Sequence, residues 1–181
     1  GFWQIAAETG ATLTSLVPTI IHDRLEQMAE FKKLKSKIKL TRIQLGSAPV
    51  IIAEAKMFFQ MTKIPLFQGY GQTETALRST GAGSDLESNT IGSEMKWTNV
   101  TVLLKNGSET SENEQGEICV RGPVIMKEYL KRPEETKKAF EHDWFHSGDL
   151  GHWKIKESKK QFFITGRLKE MIIKAGTNIS P

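Results

Sequence analysis

Ile64-Pro65-Leu66-Phe67-Gln68-Gly69-Tyr70-Gly71-Gln72-Thr73-Glu74-Thr75 runs from a short apolar segment straight into a polar loop that begins with two closely spaced glycines. Ile64 to Phe67 reads as a buried strand. Upstream, Leu40 to Leu45 reads as another, ending at the turn Gly46-Ser47-Ala48-Pro49, and Thr12 to Val17 as a third. Pro18 opens a helix through Leu34 between the first two, and Val50 to Met61, rich in good helix formers, fills the next gap. Residues 2–9 carry Phe2, Ile5 and Ala6 on one helical face, with Gly10 as the stop. This βαβαβ alternation predicts a parallel sheet with crossover helices. Ligands gather at the carboxyl ends of strands in such sheets, and both Gly46 to Pro49 and Gly69 to Glu74 lie at strand ends.

The loop itself has suggestive chemistry. Gly69 and Gly71 allow close approach of backbone to a ligand, or a positive φ. Tyr70 offers a stacking face, Thr73 a hydroxyl, and Glu74 a hard oxygen ligand of the kind Mg²⁺ prefers. Each also has a plainer reading: a core aromatic for Tyr70, a turn hydroxyl for Thr73, a solvated carboxylate for Glu74.

Beyond the loop the pattern changes. Residues 79–93 are rich in Ser, Gly, Asn and Thr and read as a connection. Val100 to Leu104 then meets Asn106-Gly107, a strong turn signal. Gly116 to Arg121 and Gln161 to Thr165 are further strands. Arg132-Pro133-Glu134-Glu135-Thr136 starts a short helix through Phe140, with proline and acids where a helix N-terminus favours them. Short strands with turn chemistry predict a small antiparallel sheet or distorted barrel. The expected organisation is therefore α/β: residues 1–80 a parallel segment carrying the loop, 81–165 a β-rich subdomain, and 166–181 the start of something further.

Composition narrows the function classes. The 181 residues carry 25 Lys and Arg against 21 Asp and Glu, a net charge of +4. That describes a mixed surface more than a nucleic-acid binder. The basic run Lys32, Lys33, Lys35, Lys37, Lys39 and Arg42 overlaps apolar Leu25, Met28, Phe31 and Leu34, so it reads as a solvated helix face and trailing loop. Cys119 is the only cysteine, which excludes an internal disulfide. It reads as a core strand residue within Ile118-Cys119-Val120. His142, His146 and His152 lack metal-ligand spacing, and no second cysteine is present for a zinc site. No apolar run approaches the roughly 20 residues of a membrane helix. The start, Gly1-Phe2-Trp3-Gln4, resembles neither a signal peptide nor an initiator segment. A cytoplasmic piece of a longer protein is the expectation.

Two further motifs join the loop: Trp144-Phe145-His146-Ser147-Gly148-Asp149-Leu150-Gly151 and Gly166-Arg167-Leu168-Lys169-Glu170-Met171-Ile172-Ile173-Lys174-Ala175-Gly176. With Gly46-Ser47-Ala48-Pro49 and Gly116-Glu117-Ile118-Cys119-Val120-Arg121-Gly122-Pro123, and in this order, they resemble the adenylate-forming superfamily of acyl-CoA synthetases, beetle luciferases and peptide-synthetase adenylation domains. The resemblance runs from about Val17 to Pro181 and rests on five ordered motifs, each weak alone. It implies that ATP and a carboxylic acid give an acyl-adenylate and pyrophosphate, and that a thiol then displaces AMP to form a thioester. It further implies Mg²⁺ at Glu74, the α-phosphate at Thr73, adenine against Tyr70 and the Gly46-Ser47-Ala48 backbone, and ribose at Asp149. Arg167 would reach ribose or phosphate, and Lys169 would be the hinge of a C-terminal domain.

Gln72, where peptide-synthetase domains tend to have proline, is more similar to acyl-CoA synthetases, fatty-acid types included. CoA is then the expected thiol, with a carrier protein or a non-catalytic AMP-binding module as alternatives. Glu128 departs from the glycine usual in relatives. The phosphate loop expected upstream and the lysine-bearing domain expected downstream fall outside the 181 residues, so the segment alone is expected to have little turnover.

Overall fold

The computed structural model describes residues 1–48, 50–83, 90–168, 172–174 and 177–179, the last two stretches as backbone only. The chain divides into two compact units. Gly1–Gly69 and the segment beginning at Ala82 form the first; Tyr70–Gly81 and the chain from Thr90 onward form the second.

The first unit is the parallel segment that the sequence predicts. Helix α1 (Phe2–Thr9) precedes β1 (Leu13–Leu16), and α2 (Pro18–Glu26) and α3 (Met28–Leu34) cross to β2 (Arg42–Leu45). Helix α4 (Ile52–Thr62) then leads to β3 (Leu66–Tyr70). β1 pairs in parallel with β2, Thr14 opposite Ile43, and β2 with β3, Ile43 opposite Leu66. Ile43, Leu45 and Leu66 project into a core closed by Trp3, Ile21, Met28, Phe31, Ala55 and Phe58. Trp3 is wholly buried, its ring 4.7 Å from Phe31 and 6.1 Å from Phe58.

Two departures from the periodicity have local causes. The single helix expected from Pro18 to Leu34 breaks at Gln27, whose N–H bonds back only three residues, to the Arg24 carbonyl, tightening the last turn. Helix α4 stops not at a glycine but at Lys63, held at φ 61° while its N–H caps the Phe59 carbonyl. The lysines 32, 33, 35, 37 and 39 are all exposed, as a solvated face requires. His22 on α2 meets Glu54 on α4 at 2.9 Å.

The second unit is antiparallel. β4 (Thr80–Gly81) pairs with β5 (Ser93–Glu94), and β6 (Asn99–Leu103), β7 (Gly116–Arg121), β8 (Phe145–Lys156) and β9 (Lys159–Arg167) form a four-stranded meander. Helix α5 (Pro133–Ala139) lies between β7 and β8 in the chain, and β10 (Ile172–Lys174) pairs with β11 (Thr177–Ile179). Among the described residues the meander is open, with β6 and β9 as its edges, and does not close into a barrel. Its core is Ile91, Val100, Val102, Ile118, Val120 and Phe162, with Tyr70, Ile125 and Trp153 packed against it.

Strand β8 is the element the sequence hides. Its Gly148-Asp149 and Gly151 argue against a strand by composition, yet it is twelve residues long. Gly151 is required there because a Cβ would lie 2.3 Å from the Phe163 carbonyl of β9. The register slips beside it, between Leu150 and Gly151. A bulge of this kind re-aims neighbouring side chains, and Asp149 is the neighbour.

Candidate functional site

Asp149 is 3 % exposed, deep in β8, and its carboxylate is ringed by three donors from two other segments of the second unit. The Tyr70 hydroxyl donates to Oδ2 at 2.7 Å and the Gln72 side-chain amide to the same oxygen at 2.8 Å. Arg167 Nε, opposite Asp149 in the β8–β9 register, meets Oδ1 at 2.7 Å. The Gln72 amide also donates to the Ser147 carbonyl at 2.9 Å. Burial first, and the negative charge of Asp149 second, push the Tyr70 phenol well above its ordinary range, so it remains a proton donor.

The Asp149 strand is held from below as well. Ser147 Oγ donates to the Ile118 carbonyl at 2.6 Å and accepts the Asp149 N–H at 3.1 Å. Gly148, at φ 75°, donates its N–H to Glu117 at 2.8 Å. A side chain at Gly148 would have room but would be strained at that φ.

Thr73 and Glu74 occupy a single 3-10 turn, Thr73–Thr75, directly after Tyr70. The turn is fixed by reciprocal bonds: the Thr75 N–H to the Gln72 carbonyl at 3.1 Å and the Gln72 N–H to Thr75 Oγ1 at 3.0 Å. The chain then folds back through Ala76 and Leu77, both at positive φ, 49° and 83°. This return explains Gly71, where a Cβ would sit 2.3 Å from the Leu77 carbonyl oxygen. The glycine is needed for the loop's own backbone, a more local reason than approach to a ligand.

Thr73 is exposed; Glu74 is half-buried, one carboxylate oxygen accepting the Tyr129 hydroxyl at 2.9 Å. Burial and that bond raise the Tyr129 phenol above its usual value. Glu74 has a second oxygen that no described side chain or backbone N–H bonds. A carboxylate so placed suits Mg²⁺, which takes one or two protein carboxylates and completes its shell with water and phosphate oxygens.

The structure thus brings Tyr70, Asp149 and Arg167 into one hydrogen-bonded cluster, with Glu74 and Thr73 on the turn that leaves it. Gly46, Ser47 and Ala48 belong to the first unit. They follow β2, with Gly46 packed close enough that a Cβ would lie 3.6 Å from the Gly69 carbonyl of β3. Ser47 is exposed and takes φ 68°, unusual for a residue with a Cβ. Lys169 lies outside the described residues, as do Gly176 and Pro181. Sequence reasoning gave Gln72 and Tyr129 no place in the site. Gln72 stood inside the decisive motif; Tyr129, 55 residues from Glu74 in sequence, carried no local signal.

Residues 1–130 match the family model described as AMP-binding enzyme. The sulfoacetate–CoA ligase of Cupriavidus necator is 33 % identical across 99 % of the chain, which covers 35 % of that enzyme. A solved fatty acyl CoA synthetase of Mycobacterium tuberculosis is 30 % identical with a TM-score of 0.82, covering 99 % of this chain and 35 % of its own. O-succinylbenzoate CoA synthetase of Bacillus subtilis, solved with its acyl-adenylate intermediate, is 26 % identical with a TM-score of 0.79, covering 94 % of this chain and 34 % of its own. The chain therefore spans about a third of the relatives it matches.

Proposed function

Since the chain belongs to the AMP-binding enzyme family, we propose that it carries the nucleotide-holding part of an ATP-dependent, AMP-forming carboxylate–CoA ligase. The observation that carries this reading is the buried Asp149 carboxylate with Tyr70, Gln72 and Arg167 gathered on it. An ionised carboxylate offers about four lone-pair sites. Three are taken, whereas a ribose diol needs two, so ribose binding requires one protein donor to let go. Arg167 is the candidate, because its side chain is 58 % exposed and can swing from Oδ1 toward ribose or phosphate. Tyr70 and Gln72 keep Oδ2 and hold the carboxylate's orientation.

In this reading the Tyr70 ring and the Gly46-Ser47-Ala48 backbone contact adenine, and Thr73 Oγ1 hydrogen-bonds the α-phosphate. Glu74 is the residue that would hold Mg²⁺, whose charge offsets repulsion between the carboxylate nucleophile and the phosphates. Lys169 is the hinge. The carboxylic acid is proposed to be a fatty acid, supported by the fatty acyl relative, and CoA to be the thiol acceptor. The first two relatives' names show how freely the acid varies within one fold. The enzyme is proposed to be cytoplasmic; no described helix is long and apolar enough to cross a membrane. With only a third of its relatives' length, the 181-residue segment is proposed to have little turnover by itself.

ATP–pyrophosphate exchange by the longer protein that contains this segment, against a panel of carboxylic acids, tests the proposal. Fatty acids should support exchange, and Glu74→Gln should lower it by about 10²-fold or more while raising the Mg²⁺ requirement. Exchange unaffected by Glu74→Gln removes Glu74 from the metal role; no exchange with any acid removes the ligase reading.

A further inference from the structure

Glu117, Cys119 and His146 form a second chemical cluster, which the nucleotide chemistry does not use. On β7, Glu117 and Cys119 are two residues apart, and on β8, His146 lies directly opposite Cys119 in the antiparallel register. One ligand atom from each of the three falls within 4.8 Å of the others. Cys119 Sγ is 3.5 Å from His146 Nδ1, which is 2.7 Å from Glu117 Oε2. Spacing along the chain conceals this set, because the partners come from two strands. The sequence-based expectation that His146 and Cys119 have no metal role rested on spacing along the chain, on the lack of a second cysteine and on Cys119 reading as a core strand residue.

We propose that Glu117, Cys119 and His146 form a binding site for a thiophilic divalent cation, Zn²⁺ in particular, with water as the fourth ligand. The donor set is the imidazole, thiolate and carboxylate mixture that Zn²⁺ accepts. At tetrahedral bond lengths of about 2.3 Å to sulfur and about 2.0–2.1 Å to nitrogen and oxygen, sulfur and nitrogen stand roughly 3.5 Å apart. That separation is already present. Nitrogen and oxygen would stand roughly 3.4 Å apart against 2.7 Å now, so Glu117 must withdraw by roughly 0.7 Å as the proton between it and His146 leaves.

The outer contacts favour such a site. His146 Nε2 donates to the Glu141 carbonyl at 3.1 Å, which orients the ring with Nδ1 toward Cys119 and Glu117. Glu117 Oε1 accepts the Gly148 N–H at 2.8 Å, leaving Oε2 for the cation. The side chains of His146 and Glu117 are 15 % and 17 % exposed, and Cys119 is fully buried, so the cation would be shielded from competing ligands yet reachable from one side. Burial holds the Cys119 thiol protonated and inert, and the cation would have to displace that proton to bind.

Titration of the 181-residue chain with Co²⁺, a spectroscopic stand-in for Zn²⁺, tests the site. Saturation at one equivalent with an intense sulfur-to-cobalt charge-transfer band is expected, and Zn²⁺ should bleach it. Cys119 is the chain's only cysteine, so the band assigns the ligand without any variant. His146→Asn and Glu117→Gln should each weaken Co²⁺ binding by at least roughly tenfold. Co²⁺ saturation without the charge-transfer band, no saturable binding, or unchanged affinity in His146→Asn would each overturn the proposal.

Discussion

The two units are built on opposite principles. In the first, the buried residues are almost all apolar, stacked around Trp3, Phe31 and Phe58. In the second, eight of the ten buried polar residues described are gathered: Thr75, Ser79, Thr80, Thr90, Thr98, Thr101, Thr110 and Asp149. Several tie distant segments through their hydroxyls, Thr80 to the Ile91 carbonyl at 2.6 Å and Thr90 to the Phe162 carbonyl at 2.8 Å. An apolar core is forgiving of exact partners, whereas a buried polar group is costly unless it is hydrogen-bonded. The contrast teaches where chemistry can be sited. A carboxylate such as Asp149 is tolerable where donors gather on it, as Tyr70, Gln72 and Arg167 do, although the Ser79 and Thr101 hydroxyls in the same unit have no hydrogen-bond partner among the described residues.

The largest expected effect breaks the apolar side of this contrast. Trp3→Ala should cost about 3–5 kcal/mol, because it removes the largest fully buried side chain. Hydrogen exchange should place that loss in the first unit; equal loss of protection in β6 to β9 would mean the two units share one cooperative core. On the polar side, Tyr70→Phe deletes one bond to the Asp149 carboxylate and should cost about 1.5–3 kcal/mol in chemical denaturation. A loss below about 0.5 kcal/mol would show that Gln72 and Arg167 already satisfy Asp149.

The smallest effect concerns a surface pair of the second unit, Glu109 with Lys160. The Lys160 hydrogen bond is the chief cause that lowers the Glu109 carboxyl below its ordinary value of 4.5. A lowered folded-state pKa contributes stability that is complete above the unfolded value and lost as pH falls through the folded one. Wild type and Glu109→Gln should therefore differ at neutral pH by only a few tenths of a kcal/mol, since both groups are solvent-accessible, and converge below pH 4.5. A difference that persists at lower pH would place the contribution in packing and not in charge.

The same contrast governs what the sequence reveals. The parallel unit was legible because its strands and helices announce themselves by apolar period, and its errors were local: a helix split at Gln27, and β3 running on to Tyr70. The motif residues Tyr70, Asp149 and Arg167 were legible as candidates, but not the bonds among them. Asp149 follows Gly148 in a stretch whose composition argues against a strand, and pairing with β7 and β9 is what makes it one. Gln72 on Asp149, Tyr129 on Glu74, and His146 beside Cys119 are contacts spanning 77, 55 and 27 residues. No period or spacing encodes them: the last follows from strand register and the other two from loop segments that only the tertiary fold brings to their partners.

Asp149 is the residue proposed to hold the nucleotide's sugar. Calorimetric titration of AMP into the wild-type protein and into Asp149→Asn measures this directly. Asparagine keeps the shape but surrenders the charge and half the acceptor capacity, so AMP affinity should fall by at least about tenfold while the fold persists. Equal AMP affinity in the two proteins, with Asp149→Asn folded, would contradict the account.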